Sequence, residues 1–180
     1  DDRSGYSVSL SSDGGKVAIG AIGNNIWSGH VRVYENVNGS WNQIGQDIDG
    51  EAAGDYSGYS VSLSSDGNTV AIGSRYNDGN SGYLNDNRGN VRIYNYNGTS
   101  WNQLGNNLGG GNYNRHTVSL SSDGNTVAIG DIYSSSYTGD VRIYNWNGLS
   151  WIQVGSDING EASGDWSGRS VSPSSDGNTV

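Results

Sequence analysis

The chain has 180 residues, with 9 Lys+Arg against 18 Asp+Glu and a formal net charge of -9. It is the length of one ordinary domain and carries the wrong sign for nucleic acid or anionic lipid, both of which need clustered Lys and Arg. Cysteine is absent, which excludes a disulfide scaffold and a thiolate metal site.

The first predicted strand begins the motif "SVSLSSDG" at 7–14, and its alternation of Val and Leu with Ser is strand-like. Asp-Gly then turns the chain, since Gly accepts positive φ, into a second strand containing "VAIG" at 17–20. "VRVY" at 31–34 is the third strand. "NGSW" at 38–41 is an Asn-Gly turn leading into a fourth, which runs on through "QIG". The order then restarts. The motif returns at 60–67, as "TVSLSSDG" at 117–124 and as "SVSPSSDG" at 170–177. "VAIG" returns at 70–73 and 127–130, and "VRIY" at 91–94 and 141–144. "NGTSW" at 97–101 and "NGLSW" at 147–151 complete the later copies, followed by "QLG" and "QVG". In the second copy the four strands are expected at 59–64, 69–74, 90–95 and 101–108.

Aligning Val8, Val61, Val118 and Val171 gives steps of 53, 57 and 53 residues. That period is too long for leucine-rich or ankyrin repeats and lies at the long end for propeller blades. The expected fold is therefore all-β: tandem four-stranded antiparallel β-propeller blades. Repeat 1 spans about 1–53, repeat 2 about 54–110, repeat 3 about 111–163, and a partial repeat 4 occupies 164–180 in the phase of 1–17. One blade cannot bury both of its faces, so Val, Ile and Trp of neighbouring blades must make the core. Closed propellers need about four to eight blades, and exposed sheet edges are avoided. The expectation is that more blades complete the array, from a longer chain or from other copies. The chain also contains no Met, which points to an excised or processed segment. No run of about 18 apolar residues is present for a membrane span, and no basic segment leads into an apolar one as in a secretory signal.

The stretch "GEAAGDYSGYSVSLSSDGNTVAIG" at 50–73 resembles the FG-GAP repeats of bacterial surface proteins, relatives of the integrin α-subunit propeller. The resemblance rests on Gly54 and Asp55, Gly58, Ser60 and Val61, and Ala71 and Gly73; "VRIYNYNGTSWNQLG" is similar to the second half of such a repeat. It implies a propeller exposed at the cell surface. Two features depart from the family pattern. Ser4, Ser57 and Ser167 stand where the family has an aromatic. The hairpin that binds calcium in the family carries several carboxylates, whereas here Asp13, Asp66, Asp123 or Asp176 stands alone in its copy. Calcium takes about six to eight oxygen ligands, so these aspartates read as turn formers. Only Ser11, Asp13 and Gly15 match the spacing of a sialidase Asp box, and the box's Trp is missing.

Trp41, Trp101 and Trp151 recur in phase and are expected in the inter-blade core. Trp27, Tyr76, Tyr83, Tyr133 and Tyr137 lie in the loops of variable length and are the candidate ligand-binding residues. Asn38 and Asn97 head N-x-S/T sequons in turns and are candidate glycosylation acceptors. His116, Arg115, Asp131 and Asp140 cluster in the irregular third copy. No catalytic triad, paired-carboxylate motif or phosphate cradle is visible, and no cofactor or metal is expected, with only His30 and His116 as histidines. The expected function is that of a non-enzymatic extracellular repeat protein, structural or adhesive, assembling with itself into a fibre or a larger propeller. A carbohydrate-binding propeller using the loop aromatics is the alternative, and a sialidase-like hydrolase ranks last. Partners are other copies or further repeats and, on the alternative, glycans; nucleic acid and membrane insertion are not expected.

Overall fold

The computed structural model describes residues 1–77, 88–109 and 116–180. Three antiparallel sheets follow one another along the chain. The first contains β1 (Ser4–Leu10), β2 (Lys16–Ala21), β3 (His30–Val37) and β4 (Ser40–Gln43), with β5 (Ile48–Asp49) returning to pair with β3. The second contains β6 (Ser57–Leu63), β7 (Thr69–Ser74), β8 (Asn90–Tyr96) and β9 (Trp101–Gln103). The third contains β10 (His116–Leu120), β11 (Thr126–Asp131), β12 (Asp140–Trp146) and β13 (Trp151–Gln153), with β14 (Ile158–Asn159) on β12. The first four strands of each sheet form a meander, each pairing with the next, as in a propeller blade. No helix of the described residues is long and apolar enough to cross a membrane.

The fourth strand departs from the expected 101–108. It ends at Gln103, and only an isolated bridge between Val91 and Leu108 resumes the pairing. Gly105, with φ 67°, lies in the interruption and turns the chain out of the ladder.

The core lies between blades. One cluster joins Ala18, Val31, Val33 and Ile48 of the first blade to Val61, Leu63, Val70, Ile72, Tyr94 and Trp101 of the second. Another joins Ala71, Val91 and Ile93 to Val118, Leu120, Val127, Ile129 and Trp151. Alternation in each strand gives every blade two apolar faces, one for each neighbour. Trp101 and Trp151 are 3% and 8% exposed, as expected of core residues, but Trp41 is 47% exposed. Trp101 covers Gly45 of the preceding blade, and Trp151 covers Gly105; Trp41 instead lines an open hollow with Val17, Ile19 and Tyr34.

The repeated "SVSLSSDG" is spent on these joints. Ser7 Oγ donates to the Gly58 carbonyl of the next blade at 2.7 Å, and Thr117 Oγ1 donates to Gly168 at 2.8 Å. Ser9 Oγ accepts the Leu63 N–H at 3.0 Å, and Ser62 Oγ accepts that of Leu120 at 2.9 Å. The Ser12 N–H donates to the Ser65 carbonyl, Ser65 to Ser122, and Ser122 to Ser175, each at 2.9 Å. The remaining serine closes the turn with its aspartate. Ser64 Oγ donates to Asp66 Oδ1 at 2.6 Å and accepts the Thr69 N–H at 2.9 Å. The glycine ending "VAIG" is equally constrained: a Cβ on Gly20 would collide with the Gly58 carbonyl, and one on Gly130 with that of Gly168.

Candidate functional site

The turns after β2 and β11, residues 75–77 after β7, and the segments leading into β6 and following β14 carry the loop aromatics. Between the first two blades they bring together Trp27, Tyr56 and Tyr76. Trp27 stacks on Tyr56 with ring centroids 5.2 Å apart, and Tyr56 meets Tyr76 edge-on at 5.1 Å. Arg3 lies over Trp27 at 4.6 Å, and Arg75 over Tyr76 at 4.5 Å. In the third blade Tyr133 and Tyr137 make an edge-on pair at 5.5 Å, and Tyr137 is exposed. Trp166 occupies the place of Tyr56 and is exposed, with Arg169 at 6.0 Å. Of the loop aromatics read from sequence, Trp27 and Tyr76 belong to one cluster, Tyr133 and Tyr137 to another, and Tyr83 lies outside the described residues.

Tyr56 and Trp166 were missed in the sequence because they precede the repeat motif in phase. Their backbone sets them apart. Arg3, Tyr56 and Trp166, in the same phase of repeats 1, 2 and 4, have φ of 52°, 55° and 53°. Trp27 and Tyr137 also have positive φ, in single turns at Asn24–Trp27 and Ser134–Tyr137. Left-handed backbone is costly for bulky residues and persists only where surroundings impose it. Here the Tyr56 N–H donates to the Trp27 carbonyl at 2.9 Å, and Ser57 to Ser28 at 2.9 Å. The Asp of "GEAAGD" closes the loop: Asp55 Oδ2 accepts the Ala52 N–H at 2.8 Å and Asn77 Nδ2 at 2.9 Å. Burial pushes the Asp55 carboxyl up from its ordinary value. Glu51 receives Asn77 at 3.0 Å and Asn90 at 2.9 Å, tying the second blade to the loop.

Polar side chains also cluster away from the loop aromatics. His30, Asp47 and Asp49 offer ligand atoms within 4.8 Å of one another, an arrangement that the sequence reading did not anticipate because cross-strand register creates it. Asp47 is already held by Arg32 at 2.7 Å, with the guanidinium's second hydrogen bond at 2.9 Å and Gln43 at 2.7 Å. These bonds hold its carboxyl down at about 2, Arg32 contributing most. Arg142 and Asp157 repeat the pair at 3.2 Å in the third blade, so the arrangement is a recurring brace and the guanidinium opposes a cation there. Asp131 and Asp140 are cross-strand partners, each 1% exposed. Asp131 accepts the Tyr133 N–H at 3.0 Å, and Asp140 accepts Arg142 at 2.7 Å. The hairpin aspartates bind turns. At Asp13 and Asp123 the serine hydroxyl does most to lower the carboxyl. At Asp66 burial raises it, but the bonds from Ser64 and Asn68 outweigh burial. Asn38 and Asn97 are exposed in their turns, and Asn97 Oδ1 accepts the Thr99 and Ser100 N–H groups at 2.9 Å each. Of the irregular third copy, Arg115 lies outside the described residues, while the backbone of His116 pairs with Asp131.

No family model matches the chain, and no curated protein does. Solved structures do. A candidate 6-phosphogluconolactonase of Bacteroides fragilis is 17% identical, with a TM-score of 0.59 over 86% of this chain and 38% of that one. TolB of Acinetobacter baumannii is 13% identical, with a TM-score of 0.53 over 95% of this chain and 35% of that one. The β-propeller domain of the trilobed protease of Pyrococcus furiosus, described as an open velcro topology, is 11% identical, with a TM-score of 0.51 over 86% and 42%. The chain thus spans well under half the length of the structures it matches. At these identities the likeness shows the fold alone, and with the three meandering sheets it makes this chain a tandem array of β-propeller blades.

Proposed function

We propose that the chain is a non-enzymatic extracellular repeat protein with a structural or adhesive role. The observation that carries this reading is the use made of its recurring polar groups. The serines and aspartates that return in every copy are consumed in hairpins and in inter-blade hydrogen bonds, such as the Ser12–Ser65–Ser122–Ser175 series. Groups selected for chemistry stand instead with perturbed acidity in a cleft where substrate reaches them. The FG-GAP likeness of residues 50–73 supports a place at the cell surface.

A second reading, glycan binding, is favoured by the exposure of Tyr137 and Trp166, since flat aromatic faces stack on sugar rings. Against it, Trp27 and Tyr56 already cover each other. The test is a glycan array run beside lactonase and sialidase assays on the purified chain. Neither glycan retention nor turnover is expected. Retention that is lost in Trp166→Ala and Tyr137→Ala would transfer the function to the loop aromatics. Turnover lost in Asp140→Asn would make the chain an enzyme.

A further inference from the structure

β2, β7 and β11 end in the same phase of their blades, and the residues that follow them are Ile22, Arg75 and Ile132. Ile22 and Ile132 are 2% and 6% exposed, so the fold takes an apolar side chain at this place and does not itself require a cation. The arginines of the third strands each rest on an acceptor. Arg32 holds the Asp47 carboxylate at 2.7 Å, Arg92 the Asp49 carbonyl at 2.8 Å, and Arg142 the Asp140 carboxylate at 2.7 Å. Arg75 forms no ion pair with a described residue. Its Nε is buried without a hydrogen-bond partner, although the residue as a whole is partly exposed.

The Arg75 guanidinium meets rings instead, Tyr76 at 4.5 Å and Tyr59 at 5.3 Å. Those rings are themselves fixed. Tyr59 packs against Tyr6 at 5.2 Å and Tyr76 against Tyr56 at 5.1 Å, and the Tyr76 N–H donates to the Asp55 carbonyl at 3.1 Å. Aromatic faces attract a cation by roughly 0.5–2 kcal/mol, but they leave its charge and its N–H groups to be matched. The result is a planar fork of donors held in one place, which complements the two oxygens of a carboxylate.

The surroundings narrow the ligand. The chain carries a net charge of -9, and the site offers one guanidinium. Nucleic acid and anionic lipid need clustered cations, and a phosphoryl group brings about two charges to this single one. A sugar ring needs a free aromatic face, whereas Trp27 and Tyr56 cover each other and Tyr76 already carries Arg75 over its ring. A single carboxylate on a flexible side chain satisfies these limits.

We propose that the joint between the first two blades carries a carboxylate-binding site centred on Arg75, and that it takes an Asp- or Glu-bearing segment of a partner protein. This rests on the structural or adhesive reading above and gives the chemistry of its partner. The test is calorimetric titration of the purified chain, at about pH 7 where Glu is ionised, with capped tetraglutamate, capped tetraglutamine and polygalacturonate. Arg75→Ile installs the residue of the other two blades, and urea unfolding checks that it folds as the parent does. Arg75→Lys keeps the charge but loses the fork. Tetraglutamate is expected to bind, less tightly as salt is raised, and tetraglutamine is not. Its affinity is expected to fall about tenfold or more in Arg75→Ile, with Arg75→Lys between the two. Tetraglutamate that does not bind, or that binds Arg75→Ile as well as the parent, overturns the site. Polygalacturonate that binds more tightly than the peptide and is lost in Arg75→Ile overturns the choice of a protein partner. Absence of peptide binding without turnover leaves the structural reading standing, whereas lactonase or sialidase turnover overturns that reading whatever the peptide result.

Discussion

Asp131 and Asp140 stand opposite each other in the third blade where the first has Ala21 and His30 and the second has Ser74 and Asn90. The fold itself therefore does not need two carboxylates there. Burial lifts the Asp131 carboxyl to about 6; the Tyr133 N–H works against the rise, Asp140 adds to it, and Arg142 opposes it. A folded-state value above the ordinary 3.8 means that the native state binds the proton more tightly than the unfolded chain does. The associated stability is complete below about pH 4 and is lost as pH rises through about 6, by about 3 kcal/mol at most. Urea unfolding of the parent and of Asp131→Ser, at about pH 4 and about pH 7, measures this. The serine variant should gain on the parent between the two pH values, and an equal difference at both would refute the assignment. Legibility at this scale was partial. Asp66 as a turn former was readable, because Asp-Gly has a local meaning. The roles of Ser7, Ser9 and Ser12 were not, because their partners lie 51 to 54 residues away.

At the scale of elements, the strands follow from alternation and from their Asp-Gly and Asn-Gly turns. Expected 69–74 and 90–95 became Thr69–Ser74 and Asn90–Tyr96. The break after Gln103 was not legible, since Leu104 and Leu108 continue an apolar pattern across it. The left-handed turns at Trp27 and Tyr137 were not legible either, because those conformations are imposed by hydrogen bonds to the next blade. The shared element is the joint, and Trp101 tests it. Replacing it with Ala removes a buried ring and the indole bond to Ile44, at a cost of about 3–5 kcal/mol. Trp41→Ala should cost less than about 1 kcal/mol, since that ring is half exposed. Equal losses measured by denaturant titration would show that Trp101 owes its stabilising effect to something other than the preceding blade.

At the scale of the whole molecule, the period of "SVSLSSDG" was enough to give tandem four-stranded blades, because each copy has to meet its neighbours through the same two faces. Stability in such an array resides largely in nearest-neighbour contacts. In each hairpin Asp66 and its counterparts already accept bonds from serine and from the following backbone. Thermal unfolding in calcium and in chelator is therefore expected to give the same midpoint; a rise of ~10 °C with calcium would show linkage to a bound ion and contradict this account.

The contact between Gly20 and Gly58, repeated at Gly130 and Gly168, has a geometric consequence. At both places main chain meets main chain, with no side chain on either glycine to be trimmed or enlarged. The closest approach there is thus set by peptide dimensions. Drift in the apolar faces changes how firmly the segments adhere but leaves that spacing unchanged. Joints in copies as different in sequence as the first and third can consequently keep one distance, held by backbone rather than by the core.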